Sequence, residues 1–444
     1  MWIDDLEGAR ERILRLLSDL DAAPTGRLTE VVELALDRRA ALLALAAEHP
    51  TPFYAFDRAG FRDALQRFSR AFAPIAGHRP FYAIKSNPHP LLLEEAARQG
   101  YGFDVSSGRE LDQALAFPGC PILFSGPAKS PADLDRALRH ADRVIVQLDS
   151  WRELERLDEA AGRAGRSVRA GVRVSTDHHG AWSKFGIPLG ELPQFWRAAA
   201  RLPRVELCGI QAHLSWNRDP EPYRRVIAAI GTCLREAFTP AERASVAFLD
   251  VGGGYRPHRT EGFFPADHPL GQLVQAANDA AGAETRFRVP YFLKDSVPLD
   301  AYAGAIAESL AEHIAPLADC ALYTEPGRIV STPAMHLVMR IVDRKSDELV
   351  IVDGGIHMVG WEKFLAIYLP VINLSRPAGD ELVVRIGGSL CDCEDVMGNR
   401  CYAASMEEGD VLVVPLQGAY GFSTAQAFIR DIPKVHELRV TATP

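Results

Sequence analysis

From residue 81 onward, short apolar runs alternate with stretches whose apolar positions recur three and four residues apart. The runs are "PFYAIK", "YGFDVSS", "PILFSG", "RVIVQLD", "SVRAGVRVS", "LCGIQAHLS", "SVAFLDVGGG" and "ALYTEPG". Between them lie helix-patterned segments such as "PLLLEEAARQG", "PADLDRALRHA" and "WRELERLDEAAGRAG". "LDAYAGAIAESLAEHI" precedes the last run, after a longer excursion through about 255–297. Strands alternating with helices imply right-handed βαβ units and a parallel sheet, and eight repeats predict a closed (β/α)8 barrel.

After about residue 333 the pattern changes. "HLVMRIVDR", "ELVIVDGG", "ELVVRIGGS", "DVLVVPLQ" and "VHELRV" are β-branched runs bounded by Gly, Asp and Pro turns, with few helix signals between them. They predict a C-terminal all-β domain over 334–444, joined by "TPFYAFD" at 51–57. The barrel then spans 58–333, and 1–50 reads as an N-terminal extension of amphipathic helices. No internal repeat or low-complexity tract is present.

Composition narrows the function classes. Of 444 residues 47% are hydrophobic, 24% are charged, and the net charge is -9, so no global basic field exists to hold nucleic acid or an anionic membrane. A small-molecule partner is the default. "MWIDDLEGARERILRLL" carries charge throughout, unlike a signal peptide, and no apolar stretch is long enough to span a bilayer, so the expectation is a soluble, cytoplasmic protein. Seven scattered cysteines argue for reduced thiols and against a disulfide framework.

In a barrel of this kind, catalytic groups gather where strands end and βα loops begin. The polar residues there are Lys85, Asp104, Asp149, Arg173, His213, the run Gly252-Gly253-Gly254, and Glu325 followed by Gly327 and Arg328. A lysine amine in a partly desolvated mouth can condense with an aldehyde, although an isolated strand-end lysine reads equally as a surface residue. A glycine run lets several backbone N–H groups approach a phosphate, and Arg328 adds a planar guanidinium suited to its oxygens. A carboxylate such as Glu325 can keep a pyridine nitrogen protonated, or simply pair with Arg328. His213 can stack on a flat ring or be an ordinary half-buried histidine.

"FYAIKSNP", "GFDVSSGREL", "LDVGGGY", "EPGR", "CDCEDVMG" and "GAYGFS", in this order over about 51–428, resemble the fold type III pyridoxal-phosphate-dependent amino-acid decarboxylases, the group of diaminopimelate and ornithine decarboxylases. The resemblance implies an alanine-racemase-like barrel plus a β domain, assembled as a homodimer with shared active sites. It implies that Lys85 holds pyridoxal 5'-phosphate as a Schiff base, that Asp104, Arg173 and His213 line it, and that Glu325 faces its ring nitrogen. Gly252 to Gly254, Gly327, Arg328 and Tyr420 fall at cofactor contacts. Cys391 matches a cysteine that reaches in from the neighbouring subunit and returns a proton after carbon dioxide leaves. A thiol with an ordinary pKa of about 8.5 suits that task near neutrality. A structural thiol, or half of a metal site with Cys393, are the other readings of Cys391, and a lone C-x-C is poor evidence for metal.

The resemblance frays where substrate is chosen. Cys391-Asp392-Cys393 stands where diaminopimelate enzymes read Cys-Glu-Ser; Asp392 is closer to the ornithine enzymes and can pair with a distal ammonium. Tyr368 falls at a substrate position, but Leu369 follows it where ornithine enzymes carry an aspartate, and Lys363 is the permanent cation of "IHMVGWEKFLAIY". Trp216 replaces part of a small Gly-Ser pair near the phosphate, and "SKFG", Ser183 to Gly186, matches a family loop. The expected activity is decarboxylation of a diamino acid, or of a modified, conjugated or carrier-bound amino acid, to an amine. A racemase on the same fold and a non-catalytic regulatory homologue are the alternatives.

Overall fold

The computed structural model describes residues 6–21, 27–176, 184–263, 291–293, 295–360 and 368–439, with isolated positions between 273 and 282. Ser183 and Lys363 lie outside the described residues. The chain divides into two compact units: one of residues 58–258 and 296–332, the other of 1–57, 259–295 and 333–444. The excursion after the glycine run thus clusters with the β-rich unit.

The first unit is a parallel barrel of eight strands. They are β1 (Arg79–Ala83), β2 (Gly102–Val105), β3 (Ile122–Phe124), β4 (Val144–Leu148), β5 (Val168–Ser175), β6 (Val205–Gln211), β7 (Phe248–Asp250) and β8 (Ala321–Thr324). Their order is β4-β3-β2-β1-β8-β7-β6-β5, and β4 also pairs with β5, which closes the ring. Each matches one of the eight apolar runs. The intervening helices carry clear start signals: Ser130 and Asp133 form a capping box ahead of Pro131–Arg139, and the Ser150 side chain accepts from the Glu153 N–H.

Strand alternation sorts the barrel interior into layers. Phe81, Leu123, Ile145, Phe248 and Tyr323 form an apolar cluster, with the Phe248 and Tyr323 rings stacked at 4.4 Å. Gly209 faces Phe248 so closely that a Cβ there would lie 1.9 Å from the ring, which is why a glycine interrupts the apolar run "LCGIQ". Two residues further along their strands, Asp104, Ser125, Gln147, Arg173, Gln211, Asp250 and Glu325 are all buried and polar. Ala83 is the corresponding residue of β1, and Lys85 is the next in step.

The second unit is an eight-stranded mixed sheet in the order 349–352, 381–387, 396–402, 372–373, 411–414, 335–346, 53–56, 435–437. The first strand also pairs with 335–346, so six strands close on themselves. The helices Thr29–Asp37 and Arg39–Glu48 bury Val32, Ala35, Leu42, Leu45 and Ala46 against Phe53, Val338, Ile372 and Val413. The N-terminal helices from Thr29 are therefore part of this unit's core, where the sequence pattern suggested an appendage. Among the described residues, no helix is long and apolar enough to cross a membrane.

Candidate active site

The polar layer and the loops above it gather the candidate residues of the barrel at one end. Lys85 sits in a single 3-10 turn, Ile84–Ser86, directly after β1. Its Nζ donates to Asp104 Oδ2 at 2.8 Å; the lysine side chain is 34% exposed and the aspartate fully buried. Asp104 Oδ1 accepts a short hydrogen bond from Ser125. Burial, then the like charge of Glu325, push the Asp104 carboxyl up, against the opposing pull of Lys85.

Glu325, one residue past β8, is the electrostatic centre. Burial would raise its pKa, but the hydrogen bond from His213 and the charge of Lys85 overcome this and hold it below the ordinary carboxylate range, while burial pushes the His213 imidazole down. Its Oε2 lies 3.0 Å from His213 Nδ1 and its Oε1 accepts a short bond from Gln211 Nε2. His213 Nδ1 is also 3.2 Å from the Gly253 N–H. One nitrogen cannot donate to Glu325 and accept from Gly253 together. The charge-assisted bond to the carboxylate is about twice as strong as a neutral one, so the tautomer with hydrogen on Nδ1 is favoured.

Behind Glu325 stands Asp250, at the end of β7. Its Oδ1 accepts from the Gly252 N–H at 2.8 Å, and its Oδ2 from Gln147 and Gln211 at 3.3 and 3.4 Å. Burial, then Glu325, push Asp250 well up, and a hydrogen bond between the two carboxyl groups raises Asp250 while lowering Glu325. Asp250 thus carries the proton and Glu325 the charge, the arrangement two adjacent buried carboxyls adopt when one has the better donors.

The glycine run wraps this centre. Gly252 and Gly254 have φ of 69° and 84°. A Cβ on Gly252 would sit 2.6 Å from His213 Nδ1, and one on Gly253 would sit 2.4 Å from the Glu325 carbonyl, so only bare backbone fits. Gly327, between Glu325 and Arg328, leads into the short helical turn Arg328–Ser331. Arg328 lies over the Trp216 ring at 4.5 Å. Arg173 is buried over Phe185 at 4.2 Å, and Asp149 Oδ1 accepts the Gly186 N–H at 3.0 Å, which ties the described end of the "SKFG" loop to the barrel. Burial pushes Asp149 up, against the charge of Arg173.

The remaining candidates belong to the β-rich unit. Cys391 and Asp392, with Cys393 and Glu394, stand exposed on a loop between 381–387 and 396–402. Buried Asp395 organises this loop: Oδ1 accepts the Ile356 N–H and Oδ2 the Leu390 N–H, each at 2.7 Å. Asp392 Oδ1 accepts the Glu394 N–H at 3.0 Å. Tyr420 adopts φ of 65°, an uncommon backbone for a bulky residue, and its carbonyl accepts from Thr424 Oγ1 at 2.5 Å. Tyr368, the residue expected at a substrate position, is 5% exposed, stacks on Tyr291 at 4.0 Å and donates its hydroxyl to Glu381.

Of the polar layer, sequence reasoning singled out Asp104, Arg173 and Glu325 and passed over Ser125, Gln147, Gln211 and Asp250. Ser125, Gln147, Gln211 and Asp250 each lie two residues beyond an apolar or glycine position of the layer below, and that spacing was the available signal. Asp395 had no such cue, because its partners are backbone N–H groups, one in its own loop and one from a distant turn.

Comparison with known proteins matches residues 58–332 to the family model described as the pyridoxal-dependent decarboxylase, pyridoxal binding domain. Diaminopimelate decarboxylase of Vibrio cholerae is 28% identical over 422 residues, which span 90% of this chain and 89% of that protein. Among solved structures, diaminopimelate decarboxylase from M. jannaschii in complex with L-lysine has a TM-score of 0.74 at 21% identity, covering 89% of both chains. A lysine/ornithine decarboxylase from Vibrio vulnificus complexed with putrescine has a TM-score of 0.69 at 20% identity, covering 89% of this chain and 97% of that one.

Proposed function

This chain belongs to the pyridoxal-dependent decarboxylases, and from that premise we propose that it converts a diamino acid, or a modified or conjugated amino acid, to the corresponding amine and carbon dioxide. The observation that carries the reading is the buried Glu325, hydrogen-bonded to His213 and Gln211 against the glycine run, at the barrel end where Lys85 pairs with Asp104. The barrel residues fit the cofactor: bare backbone at Gly252 to Gly254 where a Cβ cannot be accommodated, a lysine at the mouth, and a permanent carboxylate. When bound, pyridoxal phosphate supplies a carbonyl that condenses with amines and a ring that takes up the electron pair left by departing carbon dioxide.

In this reading Lys85 would hold the cofactor through its amine, and Asp104, paired with Nζ at 2.8 Å, would keep the lysine at the mouth whenever that amine is free. Glu325 holds a proton at the pyridine nitrogen, and His213, Gln211 and protonated Asp250 keep Glu325 in its charged form. His213 and Arg173 would line the ring, and Gly252 to Gly254 with Gly327, Arg328 and Tyr420 would hold the phosphate. Cys391 returns a proton to the substrate carbon, and Asp392 receives a distal ammonium. The acidic, exposed loop that carries both suits a cationic side chain, and we assign it to the active site of a second copy of the chain.

A racemase needs a weaker electron sink than a ring held protonated by a carboxylate, and loss of function in a regulatory homologue would have removed the lysine, the glycine run or the glutamate. The test is incubation of the cofactor-loaded protein with lysine, ornithine, diaminopimelate and their conjugated forms, with trapping of carbon dioxide and chiral analysis of what remains. Release of carbon dioxide with one amine formed per molecule is expected. Racemisation without carbon dioxide would overturn the assignment.

A further inference from the structure

The loop that carries Cys391 is fastened at its root and open at its tip. Cys391, Asp392, Cys393 and Glu394 are exposed. Below them the Gly388 N–H donates to the Asp395 carbonyl at 2.8 Å, which closes the loop across its base. The Ser389 N–H donates to the Gly354 carbonyl at 2.8 Å and its hydroxyl to the Asp353 carbonyl at 3.0 Å, so the root is also tied to the turn after strand 349–352. On the far side of Cys391 the Asp395 N–H donates to the Asp392 carbonyl at 3.2 Å.

The Asp395 side chain completes this root. It is buried, and its two oxygens accept from N–H groups of two segments, Ile356 and Leu390, each at 2.7 Å. Leu390 is the residue directly before Cys391. Two glycines leave room for the carboxylate: a Cβ on Gly388 would lie 2.2 Å from Oδ2, and one on Gly355 would lie 2.9 Å from both oxygens. Removing a carboxylate from water is costly, and its two charge-assisted bonds offset that cost only while both N–H groups stay aimed at it. A loop that merely joins two strands can be closed by Gly, Asn or Ser turns. This one places a buried carboxylate under an exposed thiol.

We propose that Asp395 is a positioning residue for Cys391: its two hydrogen bonds fix the backbone that presents the thiol, and so direct the proton to the substrate carbon. The inference rests on the assignment of Cys391 as proton donor and extends it to a buried residue that acts only through the loop. In the productive step the S–H bond breaks, a C–H bond forms on the carbon that lost carbon dioxide, and the thiolate regains a proton from water. With the thiol displaced, a proton from water reaches the cofactor's carbon instead. Amino acid and pyridoxal phosphate then leave as an aldehyde, carbon dioxide and pyridoxamine phosphate.

The test is Asp395→Asn, which keeps the size of the side chain but turns one acceptor into a donor facing an N–H. In the cofactor-free protein, hydrogen exchange at the Leu390 or Ile356 amide should accelerate by about tenfold or more, the scale of one lost charge-assisted bond. In the loaded protein, with whichever of lysine, ornithine and diaminopimelate is turned over, kcat should fall by about 10- to 100-fold, the scale of a misplaced reacting group, and pyridoxamine phosphate should accumulate. In a Cys391→Ala background the same substitution should lower kcat no further, because the group it positions is gone. Unchanged exchange at both amides, or losses that multiply in the double variant, would overturn the positioning role and leave Cys391 as donor. If Cys391→Ala alone forms amine at the parental rate, the donor assignment falls and the inference with it. Should Asp395→Asn fail to fold, Gly388→Ala, whose methyl group displaces the carboxylate, carries the same measurements.

Discussion

Lys85→Ala should reduce kcat by on the order of 10⁴-fold or more, the scale seen when a covalent catalytic group is removed, and should leave no visible absorbance from bound cofactor. The same substitution bears on stability through Asp104. Removing one member of a fully buried ion pair costs roughly 3–5 kcal/mol. Lys85 is a third exposed and its charge is partly screened by solvent, so a smaller loss, about 1–2 kcal/mol, is expected here. Asp104 is already pushed up by burial and by Glu325, and without the lysine it rises further. A carboxyl whose folded-state pKa is raised contributes stability that is complete below its unfolded value and lost as pH rises through the folded one. The variant's deficit should therefore be larger at neutral pH than near pH 4, the ordinary carboxyl range. Urea melts at the two pH values, beside kcat at neutral pH, check both parts. A folded variant with near-parental turnover would remove Lys85 from the mechanism.

Glu325→Gln should lower kcat by about 10²- to 10³-fold at saturating cofactor, comparable to removal of one preorganised electrostatic contact to developing charge. Glutamine is nearly isosteric: its oxygen can still accept from Gln211, and His213 can switch tautomer to accept from the new amide. The change is thus mostly one of charge. Because Glu325 is held below the ordinary carboxylate range, it is ionised at neutral pH. The substitution should lower the plateau of the pH–rate profile without moving its acid limb. It should also let Asp104 and Asp250 ionise more readily, since the charge of Glu325 helps push both up. A decrease of less than tenfold would show that the ring nitrogen does not depend on this carboxylate.

Much of this site is legible before any coordinates. The eight barrel strands are short apolar runs with helical stretches between them, and Lys85, Asp104, Arg173, His213 and Glu325 announce themselves as polar residues where such runs end. Gln147, Gln211 and Asp250 are harder to see, because a polar residue in an apolar run looks like a break in the pattern until the layer beneath it is known. The strand Val396–Tyr402 is also obscure: "VMGNRCY" has little alternation, and it is held by pairing with Glu381–Gly387 from outside its own sequence. The surroundings of Tyr368 are hidden for a related reason: its ring and hydroxyl partners, Tyr291 and Glu381, come from other segments. The helices from Thr29 read as an extension because most partners of their apolar face, among them Val338 and Val413, lie hundreds of residues away; Phe53 and Ala55 alone are near in sequence.

Lys85 as the covalent anchor of the cofactor is the central claim, and borohydride reduction of the loaded protein followed by peptide mass mapping tests it most directly. The expected result is a single reduced adduct, on the peptide that contains Lys85, absent from Lys85→Ala. An adduct on a different lysine, or no adduct in protein that still releases carbon dioxide, would contradict it.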